Sequence, residues 1–405
     1  MNTMIKLALR NIGRNKRRSL FSALALSLGV GLLLLMTGFL NGEMDSTIDT
    51  TIRLQSGHLQ IRAENYNENR TSLKWQDLIE NPIEMAAKIA TMAPVADASP
   101  RLYLSGMVSG SDKSAGIRVY GLLPDSPSSL PYVAGIVQGS PVSVDDKDSL
   151  EMGIALAEKL GVQVGETVEL SVNTSNGNVE VQNFKVKGIF DSGVVGFDKS
   201  TIVLPLAKAQ SIGQAENHAS LILVTLDNRE DASLVKASLS APGYQVKDWQ
   251  EMNEFMMTME GMANQYFGII FFIVLAITAT VITNTQLMAV FERTREIGIL
   301  LSMGMKSARI LWLFLLESAI MAVAGVVLGI GLGILANVLF GLVGFRFGDI
   351  GLTNVLLPNV IYPHLKFENI INISMYAMVI TLLAGIYPAS LAARMQPVEA
   401  LHSSI

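Results

Sequence analysis

The sequence predicts an α-helical membrane protein with four transmembrane helices and one large extracytoplasmic α+β domain. Three observations lead there. The 405 residues have a mean hydropathy of +0.40 with 16% charged residues, too apolar for an ordinary soluble chain. Four apolar segments are each long enough to cross a hydrocarbon core of about 30 Å. Between the first and second lies a stretch, residues 42–266, that is too polar to sit in lipid.

The first span, residues 19–41, carries no formal charge from Ser19 to Leu40. The basic stretch before it would suit the n-region of a secretory signal peptide. Against that reading, the apolar run is too long and NGEMDS after it has no small-residue cleavage site. The second span is residues 267–291 and the fourth is 370–391; the third lies within 310–343, a stretch longer than one crossing needs.

Short flanks rich in Lys and Arg tend to stay in the cytoplasm. Lys6, Arg10, Arg14, Lys16, Arg17 and Arg18 precede span one, and Arg293, Arg295, Lys306 and Arg309 lie between spans two and three. Arg394 follows span four, whereas the loop at 344–369 holds only Arg346 and Lys366. The prediction is a multi-pass protein of the cytoplasmic (inner) membrane. Both termini, the tail 392–405 and the segment 292–309 are placed in the cytoplasm, and 42–266 outside, in the periplasm if an outer membrane exists.

The outer segment reads as a folded α/β domain. SGHLQIR alternates, with Leu59 and Ile61 set against His58, Gln60 and Arg62, as a half-buried strand does. In NPIEMAAKIATMAP, Pro82 suits a first helical turn and Met85, Ile89 and Met92 recur at helical spacing before Pro94. DASLVKASLSAPGYQVKDW supplies a later helix, turn and strand. Between them, two alternating runs flank Asn176 and Gly177, a strong hairpin signal. The expected layout is one α/β subdomain made from both ends of the segment, with a strand-rich insert at about 107–205.

The same residues exclude several function classes. A net charge of −5 argues against nucleic-acid binding, and the lack of cysteine removes disulfides, thiolate metal sites and a thiol nucleophile. No Gly-rich phosphate loop, dinucleotide fingerprint or zinc helix is found. His58, His218, His364 and His402 lie far apart without ligand spacing, and Asp145, Asp146 and Asp148 read as a solvated turn. No catalytic residue, metal site or cofactor is expected in this chain.

ERTREIGILLSMGMKSAR, residues 292–309, is a charged, glycine-punctuated stretch between two spans. On a helix, Ile297, Leu300, Leu301 and Gly304 share one side, while Glu292, Arg295 and Glu296 lie on another and can pair with one another. Such a helix could lie in the headgroup layer. It could equally be a docking knob for a cytoplasmic partner, with Gly298 and Gly304 allowing close approach.

The stretch resembles the E-R-x-x-E-I-G-x-x-x-x-x-G element of ABC transporter permeases of the MacB, LolC/LolE and FtsX type. LALRNIGRNKRRSLFSALALSLGVGLLL resembles their amphipathic N-terminal helix, here residues 1–18, leading into span one. YPASLAARMQPVEAL, residues 387–401, resembles their C-terminal signature, and FLLESAIMAVAGVVLG their glutamate followed by spaced glycines. The resemblance covers essentially the whole chain.

That resemblance implies a MacB-like outer core and a permease dimer on two cytoplasmic ABC ATPase subunits, which bind ATP and Mg. The second permease is another copy or a paralogue. Glu292, Arg293, Arg295, Glu296, Ile297, Gly298, Leu301, Gly304, Met305 and Lys306 would belong to the coupling helix seated on the ATPase. Family members act as mechanotransmitters, ATPase closure working the outer domains. This chain lacks the fused ATPase of MacB, so the ATPase would be a separate chain. The outer domain is nearer in size to those of LolC/LolE and MacB than to the smaller one of FtsX. MGIALAEKLGVQVGETVELSV and KDWQEMNEFMMTMEG resemble the lipoprotein-releasing members, which implies a lipoprotein or other lipophilic substrate and a periplasmic carrier or adaptor. The other function classes are an FtsX-like regulator of an extracytoplasmic partner and MacB-like efflux of drugs or peptides.

In span three, Gly325, Gly329 and Gly333 let helix backbones approach, either within the chain or across a dimer. Glu317 is expensive in lipid and should face protein or water, and Thr280, Thr283, Asn284 and Gln286 suit interhelical hydrogen bonds. Met36 and Phe39, with Met256, Met257 and Met259, offer an adaptable apolar zone that would either contact an acyl chain or pack at the membrane interface.

Overall fold

The computed structural model describes residues 2–14, 16–67, 73–239, 242–346, 356 and 358–396. The chain forms two compact units. One comprises residues 1–44, 260–345 and 361–405, the other 45–259 and 346–360.

The helices, in chain order, are α1 (Asn2–Arg14), α2 (Lys16–Thr51), α3 (Pro82–Ala90), α4 (Ala232–Leu239), α5 (Glu254–Glu292), α6 (Thr294–Ser302), α7 (Ser307–Val343) and α8 (Phe367–Ala393), with shorter ones between. Four of them, α2, α5, α7 and α8, are long and apolar enough to cross a membrane. With 36 residues at 1.5 Å each, α2 is about 54 Å long and must extend beyond the hydrocarbon core.

Leu26, Val30 and Leu34 of α2, Leu275 and Ile282 of α5, Ala322 and Val326 of α7, and Ile373 and Ala377 of α8 form the core of the membrane unit. The glycine face of α7 is occupied within the chain. A Cβ added to Gly325, Gly329 or Gly333 would come within 2.7 Å of Leu26, Val30 and Leu34 respectively. Asn337 continues the seam, its Nδ2 donating to the carbonyls of Leu34 (3.1 Å) and Gly333 (2.8 Å). Thr283 Oγ1 donates to Ala384 O of α8 at 3.2 Å, while Thr280 bonds within its own helix. Phe272, Ile277, Val327, Leu342 and Leu383 are exposed, as lipid-facing side chains would be.

The outer unit is built on one sheet. Its ten strands are β1 (Leu59–Ala63), β2 (Val95–Ser109), β3 (Ser114–Leu122), β4 (Ile136–Gly139), β5 (Ser149–Gly153), β6 (Thr167–Asn173), β7 (Val179–Phe190), β8 (Thr201–Pro205), β9 (Leu221–Leu226) and β10 (Tyr244–Asp248). Pairing runs β2-β3-β8-β5-β7-β6 and returns to β2, so six strands close into a small barrel. Alternation decides which residues fill it: Leu104, Val108, Val119, Met152, Leu170, Phe184, Val186 and Ile202 are among its buried apolar core. The β6–β7 hairpin turns through Gly177 at φ +81°, the left-handed conformation that favours glycine.

The first half of β2 pairs instead with β9, beside β1 and β10. Helices α3 and α4 cover that part of the sheet, burying Ile61, Ala86, Ile89, Ile222, Val224 and Val235. β2 passes unbroken from this α/β layer into the barrel, so the expected insert boundary near 107 falls within a strand. β1 also differs from the half-buried expectation: all five of its residues are buried. Its polar side chains are satisfied laterally, Gln60 Nε2 donating to Gln55 O (3.0 Å) and Arg62 Nε to Gln60 Oε1 (2.8 Å). The Arg62 guanidinium also lies 5.0 Å from the Tyr66 ring centroid.

Two carboxyl groups are sealed into the outer unit. Glu151, 1% exposed, accepts from Val142 N at 2.6 Å, and burial pushes its pKa up to about 7. Burial pushes Asp198 up to about 7 as well, against the hydrogen bonds it accepts from Ser192 N. Both groups hold their protons more tightly folded than unfolded. Their contribution is fully present below the ordinary carboxylate range and is lost as pH rises toward 7. Glu151→Gln should therefore flatten the fall in thermal stability between pH 5 and 8. It should also stabilise the full-length protein at pH 8, by on the order of 1–3 kcal/mol; thermal melts across that range measure both.

Gly329→Leu tests the other unit. Val30 Cβ and Ser27 O stand 2.7 and 2.9 Å from where a Cβ would sit, so the helices must separate. Detergent-solubilised protein should lose about 1–3 kcal/mol of stability.

Candidate functional site

α5 ends at Glu292, and Arg293 turns the chain with φ −109° and ψ 14° into α6. α6 closes with a Schellman turn: Gly304 N donates to Leu301 O and Met305 N to Leu300 O, both at 3.0 Å, with Gly304 at φ +90°. Gly304 is thus the left-handed residue just past the Met303 cap of α6 and not a residue of its face, which corrects the helical placement drawn from spacing. A left-handed residue ends the helix so that the chain can re-enter α7 at Lys306.

The inner side of α6 is Ile297, 4% exposed, and the buried Gly298, with Leu301 and Met305 packed beside them. They rest on Val290, Ile310, Phe314, Ala389 and Ala392 from α5, α7 and α8. Glu292, Arg295, Glu296, Gly304 and Lys306 are exposed. The exposed side also carries Ile299 (43%) and Met303 (78%), two apolar residues that the sequence reading did not select. Their position at i+4 and i+8 from Arg295 was the available signal.

Arg293 is only 4% exposed, so it points into the protein instead of joining the outward set. Its Nη1 donates to both carboxylate oxygens of Glu317 on α7, at 3.1 and 3.4 Å, and its Nη2 to Asn11 O on α1 at 2.9 Å. Asn11 Nδ2 completes the knot by donating to Glu317 Oε1 at 2.6 Å. Arg14 of α1 pairs with Glu296 at the surface. Glu296 therefore has an ionic partner on another helix, beyond the local pairing that spacing suggested. Through these bonds α1, α6 and α7 are fastened at one point.

Met36 and Phe39 are half-buried on α2, and the Phe39 ring stands edge-on to Phe345 at 5.3 Å. Met256 and Met257 are half-buried and Met259 is 50% exposed in the first turns of α5. In the C-terminal stretch, Ala389 and Ala392 pack beneath α6, and residues 397–401 lie outside the described residues. Among the described residues no cluster of His, Asp or Glu could hold a metal ion.

The family model for an FtsX-like permease C-terminal domain matches residues 268–397, and that for a MacB-like periplasmic core domain matches 19–241. The chain belongs to the family of ABC transporter permeases that join these two domains. Among its relatives is the lipoprotein-releasing system transmembrane protein LolC of Xylella fastidiosa, 25% identical over 95% of this chain and 93% of the relative. The corresponding LolE of Haemophilus influenzae is 23% identical over 95% and 94%. The ABC transporter permease YvrN of Bacillus subtilis is 22% identical over 98% of both chains.

A buried ion pair that loses one partner leaves an uncompensated charge, at a cost of about 3–5 kcal/mol. Arg293→Met and Glu317→Leu should each destabilise the full-length protein by that order. The double variant Arg293→Met with Glu317→Leu should recover most of the loss. Thermal melts of the three variants form the cycle, and additive losses would show that the two side chains do not act together.

Proposed function

We propose that this permease subunit converts ATP hydrolysis on a separate cytoplasmic ATPase, present in two copies with bound ATP and Mg, into movement of its extracytoplasmic domain. The observation that carries the reading is the two-sidedness of α6. One side packs on α5, α7 and α8, while the other leaves Arg295, Ile299, Met303 and Lys306 exposed. A seated ATPase would push on that outer side, and the Arg293–Glu317–Asn11 knot would pass the displacement to α7 and α1. In this arrangement Arg293 positions the coupling helix and does not touch the partner.

The substrate in this reading is a lipoprotein or another molecule with acyl chains, supported by full-length similarity to LolC and LolE. Pulling an acyl chain from a bilayer costs about 0.8 kcal/mol per methylene, which calls for an external energy source. Met36, Phe39, Met256, Met257 and Met259 are the proposed acyl contacts. The membrane is the inner one, with both termini inside and the α+β domain outside. The dimer partner is a second copy or a paralogue, and a periplasmic carrier or adaptor receives the substrate.

Met303→Asp places a charge on the outer side of α6 without touching its packed side. Copurification with the coexpressed partner ABC ATPase should fall at least tenfold while the melting temperature of the permease is unchanged. Photo-crosslinking from position 39 or 256 should capture a lipoprotein, and depletion of the permease should strand that species in the inner membrane. Retention of the ATPase would remove α6 as the contact. Capture of only a soluble hydrolase or adaptor, with lipoprotein distribution unchanged, would point to a regulator or an efflux pump instead.

A further inference from the structure

The outer face of the barrel carries a cavity of ≈ 930 Å³, within the range of ligand pockets. Strands β2, β3 and β6 form its floor, and Ser105, Ser171, Asn173 and Thr201 contribute polar groups. Met107 and Val179, 48% and 62% exposed, stand with Phe197 and Leu356 as its apolar surface. Arg118 is the single charged side chain among the described residues lining it, and no Asp or Glu does so.

Arg118 is half-buried, and the groups that act on it electrostatically are the tyrosines Tyr120, Tyr103 and Tyr66. A few residues away the same pattern is repeated at greater depth. Arg101 is fully buried, donates to Ser128 O at 2.7 Å and to Tyr132 Oη at 3.3 Å, and leaves its Nε without a partner. Its guanidinium lies 5.4 Å from the Tyr132 ring centroid. Two desolvated arginines therefore sit among tyrosine rings and carbonyl groups, with no carboxylate paired to either among the described residues. Desolvated cations without counterions favour an anion that can reach them, and a low-dielectric cleft strengthens that attraction.

The site is also held open. Gly116 lies directly across from Met107 in the β2–β3 register, and a Cβ there would meet nothing within 4 Å. Any side chain at 116 would project into the cavity.

We propose that this cavity binds an anionic amphiphile, with a carboxylate or phosphate group on Arg118 and an alkyl or aromatic body along Met107, Val179 and Phe197. The site goes beyond the reading of α6 and does not depend on it. It would let the outer domain recognise a ligand separately from whatever the membrane helices handle.

Full-length protein in zwitterionic phosphatidylcholine nanodiscs would be titrated with octanoate, octyl phosphate and octanol, read by saturation-transfer NMR against empty nanodiscs. Both anions should bind at least tenfold more tightly than octanol, and their order of affinity separates a carboxylate site from a phosphate site. Arg118→Gln should weaken both anions at least tenfold and leave octanol unchanged. Gly116→Leu should block all three while the melting temperature is kept, since the new side chain enters open space. Equal binding of octanol and the anions, no binding of any probe, or anion binding that survives both substitutions would overturn the proposal.

Discussion

A carboxylate within a membrane helix has to be neutralised, and in this protein the membrane unit is organised around that requirement. Glu317 on α7 is 4% exposed, and its charge is met by Arg293 from the turn before α6 and by Asn11 from α1. Leaving such a group unpaired in hydrocarbon is costly enough to make α6 and α1 obligatory neighbours of α7. The consequence is mechanical. A short helix and an amphipathic N-terminal helix, neither of which crosses the membrane, are pinned to a span that does.

The second organising feature is the contrast between the two units in how they achieve close packing. In the membrane unit aliphatic knobs of α2 enter the glycine face of α7, because apolar contact in lipid brings little hydrophobic gain and close backbone approach must replace it. In the outer unit the drive is burial from water, and a closed barrel achieves it without leaving edges around its core. The long β2 strand serves both the barrel and the α/β layer. Its length follows from two runs of pairing, with β9 at Val95–Arg101 and with β3 at Leu102–Ser109.

Polar groups within the outer unit follow a different rule from those in the membrane unit. Glu317 is paired with Arg293, whereas Glu151 and Asp198 are pushed by burial toward the neutral form. Arg101 and Arg118 cannot take that route, because a guanidinium does not lose its proton in a protein. They are held by aromatic rings, hydroxyls and carbonyls instead.

The four spans, the α3 helix after Pro82 and the hairpin around Gly177 were legible in the sequence because each is encoded by residues close together in the chain. Hydropathy over some 20 residues, a helical period and a turn dipeptide are local signals. The family resemblance extended that reading to domain order. Tertiary structure alone decided what depends on distant partners. Arg293 turned inward because Asn11, 282 positions away, and Glu317 were there to meet it. β1 became buried on both faces despite its alternating pattern, because Gln60 and Arg62 found lateral partners. The barrel closed because β6 reaches β2 across 60 residues or more of chain, through Gly106 to Val172 and Ser109 to Glu169. Local periodicity specifies which face of an element is apolar, but the partner that covers that face is chosen by pairing and charge compensation in three dimensions.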